Sequence, residues 1–191
     1  MPRKLSRLPR LLLTIGATMS ALVVMPGAAL AAECPVQATT QAFAQWGDTN
    51  EYFLAPGGAF EELSWTKFGN VALSTQDDPY ALAAGSYSVH LSEGESVRSM
   101  PICVDRTTPH LRFMARGRDQ LNVEVRVSYR GSTDSSSGSV SGGAHRNWAP
   151  SSFISLKTDH LPAGESATAT VTFRSGGDWR VDNVFIDPYR R

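Results

Sequence analysis

From Leu121 to Tyr129 the chain reads Leu-Asn-Val-Glu-Val-Arg-Val-Ser-Tyr, an unbroken alternation of apolar and polar side chains. A period of two puts Leu121, Val123, Val125, Val127 and Tyr129 on one face of a strand and Asn122, Glu124, Arg126 and Ser128 on the other. A helix would scatter both sets around its axis, so this stretch commits its surroundings to a sheet with one buried and one wet face. Leu111 to Ala115 has the same period, and the turn-like Arg116-Gly117-Arg118-Asp119 is expected to join the two as a hairpin. Ser166 to Arg174 repeats the pattern, with Ala167, Ala169, Val171 and Phe173 opposite Thr168, Thr170 and Thr172. Trp179 to Asp187 is the most apolar stretch of the set, with Gly176-Gly177 before it and Pro188, which cannot donate to a ladder, after it.

Shorter strands are expected at Tyr52–Leu54, Ser64–Phe68, Val71–Ser74, Ser86–Leu91 and Ser96–Val104, each bounded by Gly, Pro, Asn or Asp. No helical period, repeat or second composition regime follows residue 31. About eight short strands with turns between them imply an all-β fold, an antiparallel β-sandwich of one domain over residues 32–191. Within it, residues 131–143 are almost wholly Gly and Ser, a composition expected to leave a flexible loop.

Residues 1–31 carry a basic start (Arg3, Lys4, Arg7, Arg10), an apolar run from Leu11 to Val24 and a small-x-small end at Ala29-Leu-Ala31, which reads as a signal peptide. Pro26 and Gly27 interrupt a run already short for spanning a bilayer, so stable membrane insertion is not expected after cleavage. A secreted, extracellular protein follows. Cleavage removes four basic residues and no acidic ones, leaving 14 Lys and Arg against 18 Asp and Glu, a net charge near −4. That balance offers no phosphate-binding footprint and excludes nucleic acid as the natural partner. In an oxidising compartment Cys34 and Cys103 are expected to pair as a disulfide.

Three pieces resemble the galactose-binding-like jelly roll and its carbohydrate-binding modules. Gly58-Ala-Phe-Glu61 followed by Trp65 is similar to the opening motif of those modules, Leu111–Met114 with Leu121–Val127 to their central strands, and Trp179-Arg-Val-Asp-Asn-Val184 to their last strand. The wording around Cys103, Phe113–Arg116 and Trp179–Pro188 also resembles a group of secreted actinobacterial proteins, which implies no activity. The resemblance implies a jelly roll, a glycan partner and a structural calcium held by Glu61 and Asp182. Ala59, inserted between glycine and phenylalanine, and Asn183, standing where a second acidic residue is usual, depart from the pattern. Without a metal, Glu61 is a solvated turn residue and Asp182 a strand-end cap.

For the ligand, the expected hairpin places Arg112, Asn122, Glu124 and Arg126 on one polar face. Such groups bind sugar hydroxyls, and an aromatic plate covers the apolar face of the ring; Trp148 is the candidate plate. The plainer alternatives are a solvated face on which Glu124 and Arg126 pair, and a Trp148 folded onto the core; Trp46, Trp65 and Trp179 are assigned to the core. Catalysis finds little support. Ser64-Trp-Thr-Lys67 has the spacing of penicillin-recognising enzymes without their companion motifs, and His90, His110, His145 and His160 are dispersed. The leading expectation is a noncatalytic domain binding extracellular or cell-wall carbohydrate. Its alternatives are a structural or protein-interaction domain of the cell envelope, and a small glycosidase built on Glu124 and a second carboxylate.

Overall fold

The computed structural model describes residues 34–188, so the signal peptide assigned to residues 1–31 lies outside the described residues. Two antiparallel sheets face each other across one main core. The first runs β10 (Ala149–Pro150), β7 (His110–Gly117), β13 (Trp179–Asp187), β4 (Ser88–Leu91), β3 (Ala72–Ser74), with β1 (Phe53–Leu54) on β13 and β11 (Ile154–Ser155) on β7. The second runs β2 (Thr66–Phe68), β5 (Ser96–Arg98), β12 (Ser166–Ser175), β8 (Gln120–Tyr129), β9 (Ser132–Ser141), with β6 (Ile102–Asp105) also on β12. Apart from a single 3-10 turn at Ala44–Trp46, no helix occurs among the described residues, and none is long and apolar enough to cross a membrane.

The closing strand β13 lies inside the first sheet, between β7 and β4, with residues Val181 to Asp187 buried on both sides. Val181, Val184 and Ile186 join the main core, whereas Phe185 packs outward with Phe43, Tyr52, Met114 and Trp148 in a second, smaller cluster. The segment after Cys34 supplies that outer cover, which is why β13 is nearly continuous in apolar residues rather than alternating. The disulfide forms, tying Cys34 to Cys103 in β6 with Cα atoms 5.5 Å apart. Closing a loop of 69 residues stabilises the fold by about 4 kcal/mol in the chain-entropy account.

The opening motif is a docking device. Gly58 lies against β13, where a Cβ would sit 2.8 Å from the Val184 carbonyl, and Val184 donates to the Gly58 carbonyl at 3.0 Å. Phe60 packs edge-on against Trp65 at 4.9 Å, and Trp65 stacks on Phe173 at 5.9 Å while donating to the Pro56 carbonyl at 2.9 Å. The glycine thus joins the motif to the last strand, and the aromatic rings join it to the second sheet.

Three expectations need correction. β7 and β8 are not a hairpin: after Gly117 the chain crosses from the first sheet to the second, so their apolar faces meet across the core instead of lying side by side. Backbone bonds from Gly117 to His145 and from Arg118 to Asp178 fix the crossing. The Gly/Ser stretch is no loop either; β9 pairs with β8 from Gln120↔Ser141 to Tyr129↔Ser132. Arg130 and Gly131 both take positive φ (46° and 83°), the requirement of a two-residue type I′ turn, and the ladder then holds residues whose side chains bring little. Small residues are needed there, because a Cβ on Gly138 would lie 2.5 Å from Ile154 of β11. Finally, Ser96–Val104 is two strands, broken where the Ser99 hydroxyl accepts the Val171 N–H at 2.9 Å.

Candidate functional site

The outer face of the second sheet is the surface that β8's polar residues reach. Register sets Arg98, Thr172, Glu124 and Ser137 in one row across β5, β12, β8 and β9, with Arg174, Asn122 and Ser139 in the next and Thr170, Arg126 and Ser135 beyond. The first row crosses three strand spacings, about 14 Å. A depression of about 360 Å³ opens between β12, β8 and β9, lined by Asn122, Glu124, Ser137, Ser139, Thr172 and Arg174 among others. Glu124 accepts from Arg126 Nε at 2.7 Å along the same strand, and Arg98 Nε reaches Thr172 Oγ1 at 3.4 Å. At the sheet edge Phe68 remains 42% exposed, with the Arg98 guanidinium 5.0 Å over its ring.

Two sequence candidates do not belong to this face. Arg112 sits in β7, in the other sheet, where its Nη1 donates to Asp48 Oδ2 at 2.6 Å and its Nε to the Ser151 carbonyl at 3.0 Å. Its guanidinium stacks 4.6 Å from Phe43 and 4.9 Å from Phe153. Both Arg112 and Asp48 side chains are only 11% exposed, so the pair braces the outer cluster. Burial pushes the Asp48 carboxyl up, but the bonds from Tyr52, Arg112 and the Asn50 amide outweigh it and hold the group below its ordinary value. Trp148 is 8% exposed within that cluster and offers no plate to a sugar. Trp65 and Trp179 are core residues as expected, whereas Trp46 is half-buried against Tyr80.

What sequence reading missed is Phe68, Arg98, Thr172 and Arg174. The alternating threonines of residues 168–172 were the available signal, since they mark the face of the strand that register lays beside Glu124.

Of the two residues expected at a metal, Asp182 lies in an acidic cluster and Glu61 does not. Glu61 Oε1 instead accepts the backbone N–H groups of Ser86 and Tyr87 at 2.8 and 3.0 Å, holding a loop. Asp182 meets Asp77 and Asp78: carboxylate oxygens of all three lie within 4.8 Å of one another and could hold a metal ion. A bulge in β13 builds this cluster, with Asn183 at φ 50° between Asp182 and Phe185. Asn183 Nδ2 bonds to Asp78 and to Asp182, the latter at 3.0 Å, and Asn183 Oδ1 is buried without a partner. Burial, with the neighbouring Asp77, pushes Asp182 up to about 10, and burial raises Asp78. An all-oxygen set with a spare amide carbonyl suits a hard cation.

No protein family matches the chain, and no curated protein matches it significantly. Among solved structures it is similar to TmCBM61 bound to β-1,4-galactotriose, at 21% identity over 71% of this chain and 97% of that one, with a TM-score of 0.41. It is similar also to the family 11 carbohydrate-binding module of the cellulosomal cellulase Lic26A-Cel5E of Clostridium thermocellum (13% identity, 72% and 94% covered, TM-score 0.44). A third similarity is to the enzymatically active domain of bacteriophage CBA120 tailspike protein 4, at 18% identity over 70% of this chain but only 21% of that one, with a TM-score of 0.48.

Proposed function

We propose that the domain is a secreted, noncatalytic module that binds polysaccharide on the outer face of the second sheet. The carrying observation is the unbroken polar field of Arg98, Thr172, Glu124, Ser137, Arg174 and Asn122, which alternates donors and acceptors along and across a shallow depression and ends at an exposed ring, Phe68. Sugar hydroxyls need such paired donors and acceptors on rigid strands, and a ring edge or face for the C–H surface. A glycosidase needs two carboxylates flanking the bond, and Glu124 is the one carboxylate lining this depression. Calcium at Asp77, Asp78 and Asp182, with Asn183 turning its carbonyl inward, would neutralise the buried carboxylates and lock β13 to the loop between β3 and β4. Secretion agrees with the signal pattern and with a disulfide that an oxidising compartment preserves.

Retention on insoluble polysaccharides, followed by calorimetry on those retained, tests the binding reading. Asn122→Ala, Arg174→Ala and Phe68→Ala should each weaken binding by about tenfold, the scale of a lost charge-assisted or aromatic contact, with little change in melting. No retention on any polysaccharide sinks it.

A further inference from the structure

At the end of the sandwich where β7 crosses to β8, a cleft of about 830 Å³ is lined by four arginines, Arg116, Arg118, Arg146 and Arg180, against two carboxylates, Asp119 and Asp178. This is a concentration of positive charge in a chain whose part after residue 31 has more acidic than basic residues. Its placement is unusual in detail. Arg116 of β7 and Arg180 of β13 are direct cross-strand partners, and His90 of β4 stands opposite Arg180 on the other side. Like charges directly opposite on a sheet destabilise it, so the arrangement implies something that offsets the repulsion.

The protein's own carboxylates do so only in part. Asp178 takes His90 Nε2 at 2.7 Å and Arg180 Nη1 at a long 3.4 Å. Arg180 Nε is buried and has no hydrogen-bond partner, and among the described residues Arg116, Arg118 and Arg146 have no ion-pair partner. A buried guanidinium N–H without an acceptor is costly, and guanidinium forks match the oxygens of carboxylate and sulfate. The floor is preformed: a Cβ on Gly117 would lie 2.4 Å from Trp179, and one on Gly142 2.5 Å from the Arg118 Cα. The cleft also adjoins the proposed sugar face, because Gln120↔Ser141 is the pair between the Asn122↔Ser139 row and the cleft wall at Asp119 and Gly142.

We propose that this cleft is an oxyanion subsite that selects acidic glycans, those bearing uronate carboxylates or ester sulfates, over neutral ones. The glycan as carrier rests on the polysaccharide reading above; the anion rests on the arginines. A chain lying along the rows of β8 and β12 places an anionic substituent beyond Gln120, between Arg116, Arg118 and Arg180.

Binding of polygalacturonate, of dextran sulfate and of neutral dextran and galactan should be measured at fixed ionic strength, with Arg116→Gln, Arg118→Gln and, as an exposed control outside both surfaces, Arg106→Gln. The expected result is tighter binding of at least one anionic polymer, weakened about tenfold or more by either cleft variant but not by the control. Arg116→Gln should melt no lower than wild type, because it relieves the cross-strand repulsion. Preference for polygalacturonate identifies carboxylate as the ligand group, and preference for dextran sulfate identifies sulfate. Neutral polymers bound as tightly as acidic ones overturn the inference and leave the sheet-face reading standing; equal loss in the Arg106 variant overturns it as diffuse charge. Binding of no polymer at all removes both readings.

Discussion

Removing Arg112 separates a structural brace from a ligand contact. Arg112→Ala would strip Asp48, 11% exposed in the intact pair, of its cationic partner, and would also remove the donor to the Ser151 carbonyl and the plate between Phe43 and Phe153. Breaking a buried pair by deleting one partner costs roughly 3–5 kcal/mol, because the remaining charge is left uncompensated. At roughly 2–4 °C per kcal/mol for a chain of this size, melting should fall by about 6–20 °C. Asp48 has a lowered carboxyl pKa in the fold, so its contribution is present above the ordinary 3.8 and lost as pH falls through the folded value. The gap between wild type and variant should therefore narrow in acid. Urea unfolding at pH 7 and pH 3.5 measures both effects, and the double variant Arg112→Met with Asp48→Asn should recover most of the loss, since an apolar replacement of a whole pair is often near neutral. Polysaccharide binding by the folded fraction should be unaffected. A single variant that melts within about 2 °C of wild type would refute the brace.

Calcium at a hundredfold excess over its dissociation constant should stabilise the protein by about 2.7 kcal/mol, raising melting by about 5–11 °C relative to chelator, and Asp182→Asn should abolish the difference. Because Asp182 is raised to about 10, the cation-free fold keeps a proton that the unfolded chain has lost, so its stability should fall as pH rises from 6 to 8, while calcium, which needs the carboxylate, should bind more tightly. Melting scans at both pH values check this; identical curves in calcium and chelator refute it. Gly117→Ala would drive a methyl to 2.4 Å from the Trp179 ring and 2.6 Å from the Asp178 carbonyl, and should cost about 1–3 kcal/mol in urea unfolding.

The sandwich was legible because its long strands state their period openly: β8, β12 and β13 fall where alternation or apolar run placed them. The pairing was not. Arg116 to Asp119 looks the same whether a turn folds a strand back beside itself or carries it over the core, and the difference is decided by His145 and Asp178, far along the chain. That single choice moved Arg112 from the ligand face to the opposite sheet. The rest of the acidic cluster was hidden for a related reason. Asp182 was visible on the last strand, but its neighbours Asp77 and Asp78 come from a loop of 75–87 whose path no local pattern records. β9 leaves no pattern in its side chains, because a type I′ turn and a backbone ladder need almost nothing from them.

The serine-rich hairpin arm has one more effect. β9 ends the second sheet, so the far edge of this ten-residue strand is the natural place for a strand of another copy to add. Such growth from molecule to molecule needs apolar side chains to interlock once the ladder has formed, and β9 offers Ser, Thr, Asp and Gly with a single valine, whose side chain is buried. Lys157 lies over that arm as well, with Nζ 3.5 Å from the Ser135 carbonyl. A stretch that in composition resembles a linker thus forms a sheet edge with almost no apolar side chains to hold an added strand.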